Sequence, residues 1–250
     1  MKVFSITGLS GSGKTATIEH IIKELIARGY TVGSVKEIHF EAFAIDTEGK
    51  NTWRHRQAGS DTVTARSANE TDVLYKGHMP IYDLLSHYNQ DFVILEGVHD
   101  AVVPEIAVAT EDGEPKISPL TFAISGRFAN AHTGTYKDLP IINGITDTKK
   151  LVDLIIEKTP SLMYDIDKEC CSACGMDCRT FLSKYLKGEV DINACVLKNS
   201  KVKLTINDKN IYMVPFVESI LKNVVTGVVK ELKGFQKGGK ICLEFVDDSK

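Results

Sequence analysis

Apolar residues recur along this chain in two rhythms. Residues 2–6 and 92–95 are short, nearly continuous apolar runs, the signature of strands buried on both faces of a parallel sheet. Between them, residues 16–28 carry Ile18, Ile21, Ile22, Leu25 and Ile26 three and four apart, which predicts a helix stopping at Gly29. Residues 31–35 read as a second strand and 53–58 as a short helix closed by Gly59. Alternation predicts strands at 62–65 and 73–75, and Pro80 opens a helix to about residue 87. Strands follow at 105–109, 120–124 and 140–142, then a helix over 148–158. Strands alternating with helices predict an α/β fold, a mostly parallel, doubly wound sheet. Pro160 breaks the pattern. Beyond it lie a hairpin (202–206 with 211–214), a helix over 216–232 and a last strand at 240–246. The chain thus divides into a domain of residues 1–160 and a smaller α+β module of residues 161–250.

Composition narrows the function classes. A net charge of −3, with Lys and Arg dispersed, leaves no electrostatic footprint for nucleic acid. No apolar run reaches bilayer length and the first strand begins at once, so the expectation is a cytoplasmic protein without a membrane partner. In that compartment six cysteines do not imply a disulfide frame.

The chemistry starts between the first strand and helix. Gly8, Leu9, Ser10, Gly11, Ser12, Gly13, Lys14 and Thr15 match the phosphate-loop pattern G-x-x-x-x-G-K-[ST] in full. This predicts a P-loop NTPase in which Gly8, Ser10, Gly11, Ser12, Gly13, Lys14, Thr15 and Ala16 cradle a nucleoside triphosphate at a helix N-terminus. Lys14 would reach the β- and γ-phosphates, and the Thr15 hydroxyl would ligate Mg²⁺. Such a site needs a further carboxylate for the metal. Glu96, delivered by the apolar run 92–95, is the first candidate; Asp46, on the loop after the second strand, is the second and the one candidate base. Lys36 ends the second strand and joins the binding set, while His39, Lys50, Arg54 and His99 are further polar residues able to face phosphate.

Residues 1–160 resemble the MobB family, P-loop GTP-binding proteins of molybdopterin guanine dinucleotide biosynthesis. The resemblance is carried by Gly8 to Thr15, Val32-Gly33-Ser34-Val35-Lys36, His39, Asp46-Thr47-Glu48-Gly49-Lys50-Asn51, Arg54, Ala58-Gly59-Ser60 and Asp91 through Gly97. It implies GTP with Mg²⁺, slow hydrolysis, a guanylyltransferase or molybdoenzyme-maturation partner, and a homodimer; from the residues themselves, Lys14, Glu96 and Asp46 are the ones expected to assist that hydrolysis. Three positions depart from the family pattern: Glu37 replaces a histidine, Asn51 an aspartate, and Val98-His99 a Phe-Lys pair. No Asn/Thr-Lys-x-Asp motif reads the base, so the residues themselves leave ATP open.

All six cysteines follow Pro160, and five of them fall within residues 161–199. Cys171, Cys174 and Cys178, closed by Cys195, have spacing suited to a [4Fe–4S] cluster, with Zn²⁺ the alternative and Cys170 a substitute for Cys171. The stretch resembles the small [4Fe–4S] domains of corrinoid iron–sulfur proteins, with the third cysteine one residue early. Two other functions share these features: a nucleotide-switched iron–sulfur or metal-insertion chaperone, and a small-molecule kinase.

Overall fold

The computed structural model describes residues 1–40, 43–162, 174–195, 202–206, 209–211 and 213–244. The chain forms two compact units: Met1–Asp165 with Cys178–Val190, and Ile166–Asp177 with Asp191–Lys250.

In the first unit the elements run β1 (Lys2–Thr7), α1 (Lys14–Ala27), β2 (Val32–Lys36), α2 (Asn51–Gln57), β3 (Thr62–Arg66), β4 (Thr71–Tyr75), α3 (Ile81–Leu85) and β5 (Phe92–Glu96). They continue with β6 (Glu105–Ala109), β7 (Thr121–Gly126), α4 (Phe128–Ala131), β8 (Thr135–Tyr136), β9 (Leu139–Pro140), α5 (Thr148–Lys158) and α6 (Cys178–Leu186). Five strands make one sheet in the order β2-β5-β1-β6-β7, every neighbouring pair parallel. The expected α/β, mostly parallel, doubly wound architecture is therefore present.

Side chains alternate across a strand, and that alternation sorts the core into two layers. Phe4, Ile6, Phe92 and Ile94 face one side, packed with Ile18, Ile21 and Leu25 of α1 and Leu151, Val152 and Ile155 of α5. Val3, Val93 and Leu95 face the other, with Ile81 and Leu85 of α3. The parallel register sets Ile6, Glu96 and Lys36 abreast, so the chemistry-bearing residues emerge together at the C-terminal rim of the sheet.

Three expectations change. Strands β3 and β4 pair only with each other, antiparallel, and Val63 is their one buried apolar residue. The strand expected at 140–142 shortens to β9, with Ile141 making a single parallel bridge to Ile124. The boundary drawn at residue 160 is crossed by α6, whose Leu182 and Leu186 join the layer built on α1 and α5.

The second unit contains a 3-10 turn (Ile192–Ala194), the antiparallel hairpin of β10 (Leu204–Ile206) and β11 (Lys209–Ile211), and α7 (Pro215–Val229), which begins on its proline as helices favour. Residues 240–244 are not strand, and 245–250, like Cys170 and Cys171, lie outside the described residues. Among the described residues no helix is long and apolar enough to cross a membrane.

Candidate functional site

The loop between β1 and α1 is shaped by main-chain constraints. Gly8 has φ +154°, and a side chain there would collide with the Val108 carbonyl on β6. Gly126, at the end of β7 with φ +75°, lies so close under the loop that a Cβ would strike the Ser12 carbonyl. The same carbonyl accepts the Arg127 N–H at 2.9 Å. The loop is thus held down on β6 and β7.

Helix α1 begins after Gly13, which sits in the left-handed region at φ 91°; no side chain caps it and its first turn holds no acidic residue. Its leading N–H groups and the helix dipole are left to face an anion. They open onto a cavity of about 690 Å³, within the range of small-ligand sites. Gly8, Ser10, Gly11, Gly13, Lys14, Thr15, Ala16, Lys36 and Glu96 all line it, with His39 and His99.

The Lys14 ammonium spans the loop, donating to the carbonyl oxygens of Gly8 at 2.7 Å and Leu9 at 2.6 Å. Burial lowers its pKa below the usual lysine value; the Glu96 charge opposes that shift and Lys36 adds to it. Across the cavity Lys36 Nζ meets Glu96 Oε1 at 2.6 Å, the glutamate side chain being only 12% exposed. A carboxylate so withdrawn, beside an exposed Thr15, is a suitable donor set for a hard divalent cation. An uncapped helix start, a ring of cations and this pair fit a triphosphate with Mg²⁺; Thr15 and Glu96 would hold the metal and the loop the phosphates, with the metal supplying charge neutralisation.

Not every expected residue arrives. Ser12 is buried, its hydroxyl turned inward to the Leu9 carbonyl at 2.7 Å, so it shapes the loop instead of lining the cavity. Asp46 is not among the lining residues: Thr52 donates to its Oδ1 at 2.7 Å and Arg56 lies 3.7 Å from Oδ2. Lys50 and Arg54 are likewise absent from the cavity wall. Arg127, which no motif marks, does line it. Its signal was positional: like Glu96, it follows an apolar strand at the C-terminal rim.

The cysteine centre is not assembled by what is described. Cys178 packs against the core of the first unit. The Cys174 thiol lies 3.4 Å from the Met176 carbonyl. Among the described residues no three His, Cys, Asp or Glu side chains gather as a metal site, and Cys171 is outside them. The expected [4Fe–4S] or zinc site therefore has no support from these residues.

Parallel strands, a glycine loop running from the central strand into a helix, and charges at neighbouring strand tips define the class: a P-loop NTPase fold. The family model for molybdopterin guanine dinucleotide synthesis protein B matches residues 3–123. A Methanocaldococcus jannaschii protein, provisionally named a molybdopterin-guanine dinucleotide biosynthesis adapter protein, is 30% identical over 258 residues, covering 100% of this chain and 99% of its own. The Haemophilus influenzae molybdopterin-guanine dinucleotide biosynthesis adapter protein is 30% identical over 153 residues, 58% of this chain and 85% of the relative. The crystal structure of Bacillus subtilis MobB shares the fold, with a TM-score of 0.52 at 24% identity, over 64% of this chain and 99% of that one. The chain belongs to the MobB family.

Proposed function

We propose that this protein is a GTP-binding adapter in the biosynthesis of molybdopterin guanine dinucleotide, hydrolysing GTP slowly to GDP and phosphate. The observation that carries the reading is the uncapped start of α1, set behind a glycine loop and facing Lys14, Lys36 and Glu96 in one cavity. Lys14 and the loop N–H groups bind the phosphates; Thr15 and Glu96 seat Mg²⁺; Lys36, which pairs with Glu96, neutralises the terminal phosphate. Among the described residues the carboxylates on the cavity wall are Glu96 and Glu37, and Glu37 lies 3.5 Å from His78. The names of the archaeal and Haemophilus relatives support the pathway and an adapter role; in that role the proposal takes a guanylyltransferase or molybdoenzyme-maturation protein as partner and a homodimer as the working unit.

Lys14→Ala tests the site. The variant should keep its circular dichroism spectrum and lose Mg²⁺–GTP affinity by roughly a hundredfold or more, the cost of one phosphate-binding charge. Unchanged affinity by calorimetry overturns the reading. Transfer of the γ-phosphate to a small molecule in preference to water would replace it with the kinase reading.

A further inference from the structure

The sheet order puts β5 and β2 on one side of β1, and β6 and β7 on the other. Lys36 and Glu96 fill the first side with charge. With the Lys36–Glu96 side given to phosphate and metal, the nucleoside would take the second side, where the structure holds a directed chain of polar side chains. Asn143 Nδ2 donates to Asn130 Oδ1 at 2.9 Å, and Asn130 Nδ2 donates to Glu111 Oε1 at 3.1 Å. Arg127, part of the cavity wall, has its guanidinium 3.8 Å from the same Glu111 oxygen. The chain therefore starts where the cavity ends.

Its direction is fixed from one end. Asn143 Oδ1 accepts the N–H groups of Ile145 and Thr146 at 2.9 and 3.1 Å, so its other amide atom must be the donor. That sets Asn130 to accept and then donate, and it delivers Glu111, which as a carboxylate only accepts, to the end next to Arg127. The segment carrying Asn143 is itself pressed onto α1, since a side chain at Gly144 would lie 2.6 Å from Thr17 Cγ2. Three separate stretches of chain thus converge beside the phosphate loop to hold one acceptor in place.

An acceptor-only group discriminates between purines. Guanine presents adjacent N1–H and N2–H donors on its pairing edge, where adenine presents a ring acceptor. We propose that Glu111, positioned by Asn130 and Asn143, reads the pairing edge of a guanine base, with Arg127 spanning the interval to the phosphates. This deepens the triphosphate reading above and rests on it.

Calorimetry of the full chain with Mg²⁺ and, in turn, GTP, ITP, XTP, ATP and inorganic tripolyphosphate separates the two. The native protein should bind GTP about tenfold or more tighter than ITP, which lacks the 2-amino group, and than ATP. Glu111→Gln should weaken GTP by about tenfold, strengthen XTP, whose 2-oxo group accepts from the new amide, and leave tripolyphosphate unchanged. Asn130→Ala, which removes only the positioning amide, should narrow the GTP-to-ATP ratio in the same direction. Equal native affinity for GTP, ITP and ATP overturns base reading and leaves the phosphate site standing. So does parallel loss of every ligand in Glu111→Gln, which would mean it acts through the charge of Arg127. Failure of the native chain to bind even tripolyphosphate overturns the nucleotide reading itself.

Discussion

Gly126 shows how a single absent methyl group sets the phosphate loop. With φ at +75° and the Ser12 carbonyl where a Cβ would have to go, alanine there strains the backbone and lifts the loop. Gly126→Ala should cost about 1–3 kcal/mol of stability and weaken GTP binding together, measured by denaturant melts and calorimetry on the same preparation. Much of the site at this scale was legible in the sequence, because the phosphate pattern specifies Lys14 and Thr15 outright and an apolar run ending in an acid specifies Glu96. What the pattern leaves blank is direction. Ser12 occupies a variable position, and nothing in its neighbours says that its hydroxyl turns inward to Leu9. Asp46 is missing from the cavity wall because Thr52, in the first turn of α2, and Arg56, one turn further on, draw it to themselves, and their grip on it is a matter of loop folding.

Strands were legible as elements wherever apolar residues ran together, since burial on both faces leaves no alternation to misread. The hairpin of β3 and β4 was legible as two strands but not as a separate sheet, because period-two alternation says nothing about which edge a strand joins. At the opposite rim from the cavity, β2 and β5 are joined by a small clamp ahead of their first residues. Asp91 accepts the Thr31 N–H and hydroxyl, both at 2.8 Å, and these bonds, the main-chain one foremost, hold its pKa below the usual 3.8. A carboxyl depressed by folding stabilises the native state above its unfolded pKa and loses that contribution as pH falls through its folded one. Asp91→Asn should therefore be less stable than the native chain at neutral pH, with the gap closing below pH 3.8; melts at both pH values check it. GTP affinity should not change, as the clamp is far from the loop along the strands.

At the scale of the molecule, the sequence places a boundary at Pro160 because proline ends the α5 pattern, yet the first unit is completed only by α6. A segment that leaves a domain and returns carries no mark in local periodicity; its apolar face is the same whether it packs at home or elsewhere. A chain ending at residue 190 should fold and bind GTP, while one ending at 160 loses the burial of Phe181, Leu182 and Leu186. At about 1.5–3 kcal/mol for each such side chain, much of a domain's net stability goes with them, and the shorter chain should melt early or aggregate in a thermal scan. The alignment with the archaeal relative runs the full length of both proteins, so the segment after Pro160 belongs to a shared architecture and not to an isolated addition. The link from β7 to the phosphate loop, Arg127 N–H to the Ser12 carbonyl, is made by backbone alone. Nineteen of the twenty amino acids can occupy position 127 and keep that tether, proline alone lacking the hydrogen. Mutational drift there can retune charge beside the nucleotide without dismantling the scaffold that grips it.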